Sequence, residues 1–217
     1  MIGSMVRNDT IRCFAAGFLG LFLTAWVAAP ARAGSPAGEA EAFIRDLADS
    51  GIAMLSNADY SPAQREAEFR NLVRKGFALE EVGRFVVGRY WRQMDKDQQA
   101  DYQEMFAEWL ITTYAGRLGA YGGQKIEIEK STELNNKYND VVVRTRILGS
   151  NGQPEMAADW RVRNFDGTPK IIDVIVEGVS MAAAQKSEFE SVIRQVGVDG
   201  LVENLRTQLS TMVARGN

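Results

Sequence analysis

Along the chain, apolar positions recur first at helical spacing and then, after Gly122-Gly123, at every second residue. Ile44, Leu47, Ala48, Gly51 and Leu55 predict a helix over 43–55. Ser61 offers an N-cap, Pro62 fits the first helical position and Gln64 completes a capping box. A second helix therefore runs toward Lys75 and stops at Gly76, with Phe69, Leu72 and Val73 as its buried face. A short helix over 79–87 turns Leu79, Val82, Phe85 and Val86 inward, and Gly88 ends it. Asp95 and Gln98 then cap the strongest helix, in which Tyr102, Met105, Phe106, Trp109, Leu110, Tyr114 and Leu118 form one stripe.

Beyond the double glycine, 125–130 alternates around Ile126 and Ile128. Segment 141–147 alternates around Val141, Val143 and Ile147, and 157–165 around Ala158, Trp160 and Val162. Asn135-Asn136, Asn151-Gly152 and Asp166-Gly167 supply the turns, and a fourth strand covers 170–179. Two helices close the chain, over 183–196 and, capped by Asp199, over 199–213. The expected fold is α+β, a curled antiparallel four-stranded sheet packed with N-terminal and C-terminal helices that enclose an apolar cavity. Periodicity alone describes a filled core equally well.

The first 33 residues divide into the parts of a secretory signal. These are basic Arg7 and Arg12, the apolar run 14–29, and the small-residue site Ala31-Arg32-Ala33. The expected products are a cleaved signal, 1–33, and a single domain over 34–217. Cys13, the one cysteine, leaves with the signal, so thiol chemistry and disulfides are excluded from the mature segment. Losing Arg7, Arg12, Arg32 and Asp9 leaves 22 basic against 27 acidic residues, a net charge of −5, which indicates no nucleic-acid partner. The chain has no histidine, which excludes serine–histidine triads and nearly every zinc site. No metal or organic cofactor is expected.

The remaining candidate chemistry is sparse. Gly178-Val179-Ser180 begins like a nucleophile elbow but has Ala182 where the second glycine belongs. Asp95, Asp97 and Asp101 start like a calcium loop whose sixth and twelfth positions are Ala100 and Phe106, so they read as a helix cap with acidic first-turn residues. Arg144, Arg146, Arg161 and Arg163 point outward on neighbouring strands beside Glu127, Glu129 and Asp159, which favours cross-strand ion pairs over an anion-binding patch. Asp173 and Glu177 share one face of the last strand, opposite Val174 and Val176. Because Ile171, Ile175 and Val179 have the same parity as the acids, the inward face of that strand stays open. So does a histidine-free enzyme acting on a hydrophobic small molecule.

Gly88-Arg89-Tyr90-Trp91-Arg92, Asp97-Gln98-Gln99 and 113–118 form an ordered set with the run 173–181, Lys186-Ser187-Glu188-Phe189 and Gly200-Leu201-Val202. This set resembles the MlaC, or toluene-tolerance, family of periplasmic proteins, with Pro169 where that family usually has an aromatic residue. The resemblance implies a sheet similar to that of nuclear transport factor 2, with added helices, and a periplasmic carrier with phospholipid as cargo. It further implies passage of lipid between an outer-membrane lipoprotein complex and an inner-membrane ABC transporter bearing a lipid-transfer ring. Docking close to the membrane and upkeep of outer-membrane lipid asymmetry follow from that role. A hopanoid-associated triterpenoid is the rival cargo. On this reading the lipid-binding lining is Phe85, Tyr90, Trp91, Phe106, Trp109, Leu110, Tyr114, Ile128, Val141, Val143, Trp160, Val174 and Val176. Leu110 and Val143 are expected to face each other across the cavity. About 30 acyl methylenes at about 0.8 kcal/mol each would face water during unassisted transfer, so a carrier must offer comparable apolar surface.

Overall fold

A computed structural model of the chain describes residues 34–214; the expected signal, 1–33, lies outside them. Helix α1 spans Pro36–Ser56 and α2 spans Pro62–Gly76. Both begin in the way that serine followed by proline dictates. The Ser35 and Ser61 hydroxyls accept the N–H of Gly38 and Gln64, while the proline gives up a donor that the first helical turn does not use. The reciprocal capping box Ser61–Gln64 is complete, as is Asp95–Gln98 at the start of α4, Lys96–Ala115. Between them lie α3, Leu79–Val87, and a 3₁₀ segment, Gly88–Gln93.

The sheet is a meander in the order β1-β2-β3-β4-β5, antiparallel throughout. β1 is Lys125–Glu133, β2 Val141–Leu148, β3 Pro154–Phe165, β4 Thr168–Val176 and β5 Val179–Ser180. The expected fourth strand is thus two strands. Glu177 and Gly178 both take positive φ, at 49° and 80°, and fold the run 173–181 into a tight hairpin, as Asp166 and Gly167 do between β3 and β4.

Register decides which side chains share a face. Val143, Trp160 and Val174 stand opposite one another, as do Val141, Val162 and Ile171. Ile171 and Val174 are three residues apart, and they share a face because the β3–β4 register slips between them, leaving Ile172 as the extra residue of a bulge. Helix α1 lies across this inner face and runs antiparallel to β1. At one end the Ala37 N–H donates to Glu133 and Ser131 donates to Glu41; at the other the Ser56 hydroxyl meets that of Tyr121. Ala40 and Ile44 are buried there with Val141, Val143, Val162 and Ile171.

The last helix, α5, Met181–Ala214, is broken at Gly197, whose φ of 75° and ψ of −179° only glycine adopts readily. The break falls between the two expected C-terminal helices. Asp199, expected as a cap, instead accepts a hydrogen bond from the Gln98 amide at 2.8 Å, tying α5 to α4. A second core joins α3, α4 and α5 around the fully buried Tyr102, Phe106 and Leu205, together with Phe189.

Candidate functional site

The residues expected to form one apolar lining separate into two groups. Phe106 is buried in the helical core, with Tyr90, Trp91, Trp109 and Leu110 packed against it. Val141 and Val143 are buried in the sheet core, with Ile128, Trp160 and Val174 packed against it. Val176 pairs with Ala158 and extends the same face of the sheet. Leu110 and Val143, expected to face each other, belong to different cores.

Two expectations of inward orientation are overturned. Phe85 is 47% exposed and Tyr114 40%. In α3 the buried stripe is Val82, Gly83, Val86 and Val87, one residue off the expected register. Its centre is hidden in the sequence because Gly83 contributes a close approach and no side chain: a Cβ there would lie 3.1 Å from the Phe106 ring, and the Gly83 carbonyl accepts from the Tyr102 hydroxyl at 2.9 Å. Burial pushes the Tyr102 pKa well above the ordinary phenol value. In α4 the second half buries the small and branched side chains Ala107, Ile111, Thr112 and Ala115, which rotates Tyr114 into solvent beneath Arg117.

The inner face of the sheet carries one buried hydroxyl within its apolar surface. Thr145, fully buried, donates to the Ala158 carbonyl at 2.5 Å and accepts the Trp160 indole N–H at 3.0 Å. Both polar groups are thereby paired within the sheet, and the indole presents hydrocarbon. Beyond the part buried under α1, the face continues through paired Ile126, Ile147 and Met156 and through Val176, all half-buried. Sequence reasoning left Ile126, Ile147, Met156, Ala40 and Ile44 out of the lining. The helical spacing of the α1 residues and the strand alternation were the available signals.

The outer face is ionic. Arg161 and Arg163 both bind the fully buried Asp140 carboxylate, at 2.7 Å each. Desolvation alone would raise the pKa of Asp140, but hydrogen bonds from Arg163, Arg161 and Asn136 outweigh it and hold the carboxyl below its usual value. Arg144 pairs with Asp159 and Arg146 with Glu129, so all four outward arginines are taken up by carboxylates.

Asp173 faces away from the apolar wall because the bulge moves Ile171, and not Asp173, to the inner side, and exposed Glu177 lies in the β4–β5 turn. Both hold the chain. Asp173 accepts from the Ser180 hydroxyl at 2.6 Å and the Ala182 N–H at 3.0 Å, and Glu177 accepts from the Ala157 N–H. Ser180 itself is the N-cap of α5, accepting from the Ala183 N–H at 3.0 Å. Two open clefts elsewhere are polar-edged. One of about 320 Å³ lies between α4 and α5, lined in part by Asp101, Asp199 and Arg206; the other, about 190 Å³, lies on the outer sheet face between Lys130 and Arg144. Among the described residues no cluster of potential metal ligands occurs.

A family model described as MlaC protein matches residues 45–207, which takes in α2 to β5 whole and most of α1 and α5. The chain belongs to the MlaC family. A curated MlaC, the intermembrane phospholipid transport system binding protein of Haemophilus influenzae, is 29% identical over 134 residues, 61% of this chain. The match spans 62% of that MlaC, under two thirds of its length. A phospholipid-binding protein from Ralstonia solanacearum, solved in complex with a phospholipid, superposes with a TM-score of 0.69 at 26% identity. That superposition covers 80% of this chain and 98% of the other. The MlaC assignment fits the α+β architecture and the open antiparallel meander described above.

Proposed function

We propose that this MlaC-family chain is a periplasmic phospholipid carrier and not an enzyme. It is exported by a cleaved signal over 1–33 and acts as one lipid-binding domain over 34–217. On this reading it ferries phospholipid between an outer-membrane lipoprotein complex and an inner-membrane ABC transporter with a lipid-transfer ring, and so maintains outer-membrane lipid asymmetry. The observation that carries the reading is the apolar inner face of the sheet, where the polar atoms of Thr145 and Trp160 satisfy one another, together with likeness to a protein solved with a phospholipid. Acyl chains would lie between this face and the helices, displacing the contacts of α1 that now close over it. The headgroup would stay at the rim, since burying an unpaired phosphate is strongly unfavourable.

The lining then comprises Ile128, Val141, Val143, Trp160, Val174 and Val176 on the sheet, with Phe106, Trp109 and Leu110 on the helical side. Tyr90 and Trp91 are secondary members, and Phe85 and Tyr114 fall outside it. The test is organic extraction and mass spectrometry of protein purified from a bacterial periplasm without detergent. Glycerophospholipid at near one molecule per chain is expected; a well-folded protein free of lipid would refute the proposal.

A further inference from the structure

Phe85 lies on an edge of the molecule that contains several cations. The Lys186 ammonium sits 5.0 Å from the centre of the Phe85 ring, the Arg89 guanidinium 5.0 Å over Tyr90, and the Arg84 guanidinium 5.5 Å over Trp91. These groups come from α3, the 3₁₀ segment and the first half of α5. Gly88 lets the three meet: a Cβ at that position would lie 3.0 Å from Lys186 Cε and 3.2 Å from Glu190 Oε1. Exposed Arg92 lies on the same 3₁₀ segment. The opposing carboxylates are Glu81, 3.5 Å from Arg84, and Glu190. Arg89, Arg92 and Lys186 make no ion pair among the described residues. Four cations thus face two anions on a chain whose mature segment is acidic.

We propose that the edge formed by Phe85, Arg89, Tyr90, Arg92 and Lys186 is the surface with which this protein lands on an anionic phospholipid bilayer. The inference rests on the carrier reading. It is argued from charge complementarity and from the pairing of cation with ring. An aromatic ring at headgroup depth is half in hydrocarbon and half in water, and arginine or lysine stacked on it keeps its charged end at the phosphates. An acidic protein partner would satisfy the cations but gives no comparable role to the exposed Phe85, with Lys186 against its ring. The arginines of the outer sheet face do not compete for this role, because each is paired with a carboxylate.

Flotation of the lipid-loaded protein with vesicles tests the proposal, using equal parts phosphatidylglycerol and phosphatidylcholine, against phosphatidylcholine alone. Wild type is expected to float with the anionic vesicles, and to do so less as salt rises. Arg89→Glu/Lys186→Glu should weaken that partition by about ten-fold or more, at roughly five-fold per charge near an anionic surface. Phe85→Ser should weaken it several-fold with no change in salt dependence. Arg45→Glu/Lys137→Glu makes the same charge change on exposed positions elsewhere and should float like wild type. Equal flotation with both vesicle types, or undiminished flotation of Arg89→Glu/Lys186→Glu, overturns the inference. So does wild type that ignores vesicles yet binds an acidic protein through Arg89 and Lys186. Lipid bound per chain, measured on the same samples, separates the two readings. Full cargo without flotation sinks only this inference, whereas a folded wild type without cargo sinks the carrier itself.

Discussion

The Thr145–Trp160 pair offers a direct test of how the apolar wall is kept free of unpaired polar atoms. Thr145→Val preserves volume and β-branching, so it opens no cavity, but it removes the hydroxyl that takes the Trp160 indole N–H at 3.0 Å and donates to the Ala158 carbonyl at 2.5 Å. The carbonyl belongs to a strand hydrogen-bonded on both sides, while the indole has no second acceptor among the described residues. A buried donor left unpaired costs about 1–3 kcal/mol, and because Trp160 is only half-buried the lower part of that range applies, about 1–2 kcal/mol. For a chain of this size that lowers Tm by about 2–8 °C. A double-mutant cycle isolates the bond. In Trp160→Phe, which has no indole N–H, the further change Thr145→Val should cost about 1 kcal/mol less than it does in wild type. Thermal melts of the four proteins, each stripped of lipid, give the coupling. Costs that add to within about 0.3 kcal/mol would refute the argument, since the hydroxyl would then be doing nothing for the indole.

Two further outcomes follow from the same structure. Asp140→Asn should destabilise by about 2–3 kcal/mol in chemical denaturation, below the full figure for a dry ion pair because Arg161 is 35% exposed. Because the folded pKa of Asp140 lies below its unfolded value, its contribution is complete above about pH 4 and is lost as pH falls through the folded value, so the mutant should show a shallower acid limb. At Gly197, an alanine would have to adopt a φ of 75°, at a strain of about 1–3 kcal/mol, and a melt unchanged from wild type would show that α5 straightens without loss.

How much of this was legible in the sequence depended on how local the determinant was. The capping boxes Ser61–Gln64 and Asp95–Gln98 each involve four residues, and the helices start where those residues say. The Asp166-Gly167 turn is equally local. Burial across elements is not. Gly83 anchors α3 through the Tyr102 hydroxyl and the closeness of Phe106, yet it carries no apolar side chain for a periodicity to detect, so helical spacing alone puts Phe85 on the wrong side. The stripe on α4 shifts from large aromatics to Ala107, Ile111 and Ala115 along its length, which moved Tyr114 outward. The division of the lining into two cores follows from α1 lying on the sheet while α4 packs with α3 and α5, an arrangement no single segment encodes.

The bulge in β4 links these observations. Strict alternation puts Ile171 and Asp173 on one face, so a reader of the sequence has equal grounds for an acidic wall and an apolar one. One extra residue, Ile172, lets Ile171 join Val162 and Val141 inside while Asp173 stays outside with Arg161 opposite it. From there Asp173 reaches Ser180 and the first turn of α5, and Glu177 reaches back to Ala157. Instead of forming a reactive pair, Asp173 fixes where the last helix starts and Glu177 ties the β4–β5 turn back to β3. A wall free of unsatisfied polar groups and a pinned α5 therefore share one origin, which is why charge at 173–177 is compatible with an apolar face two residues away.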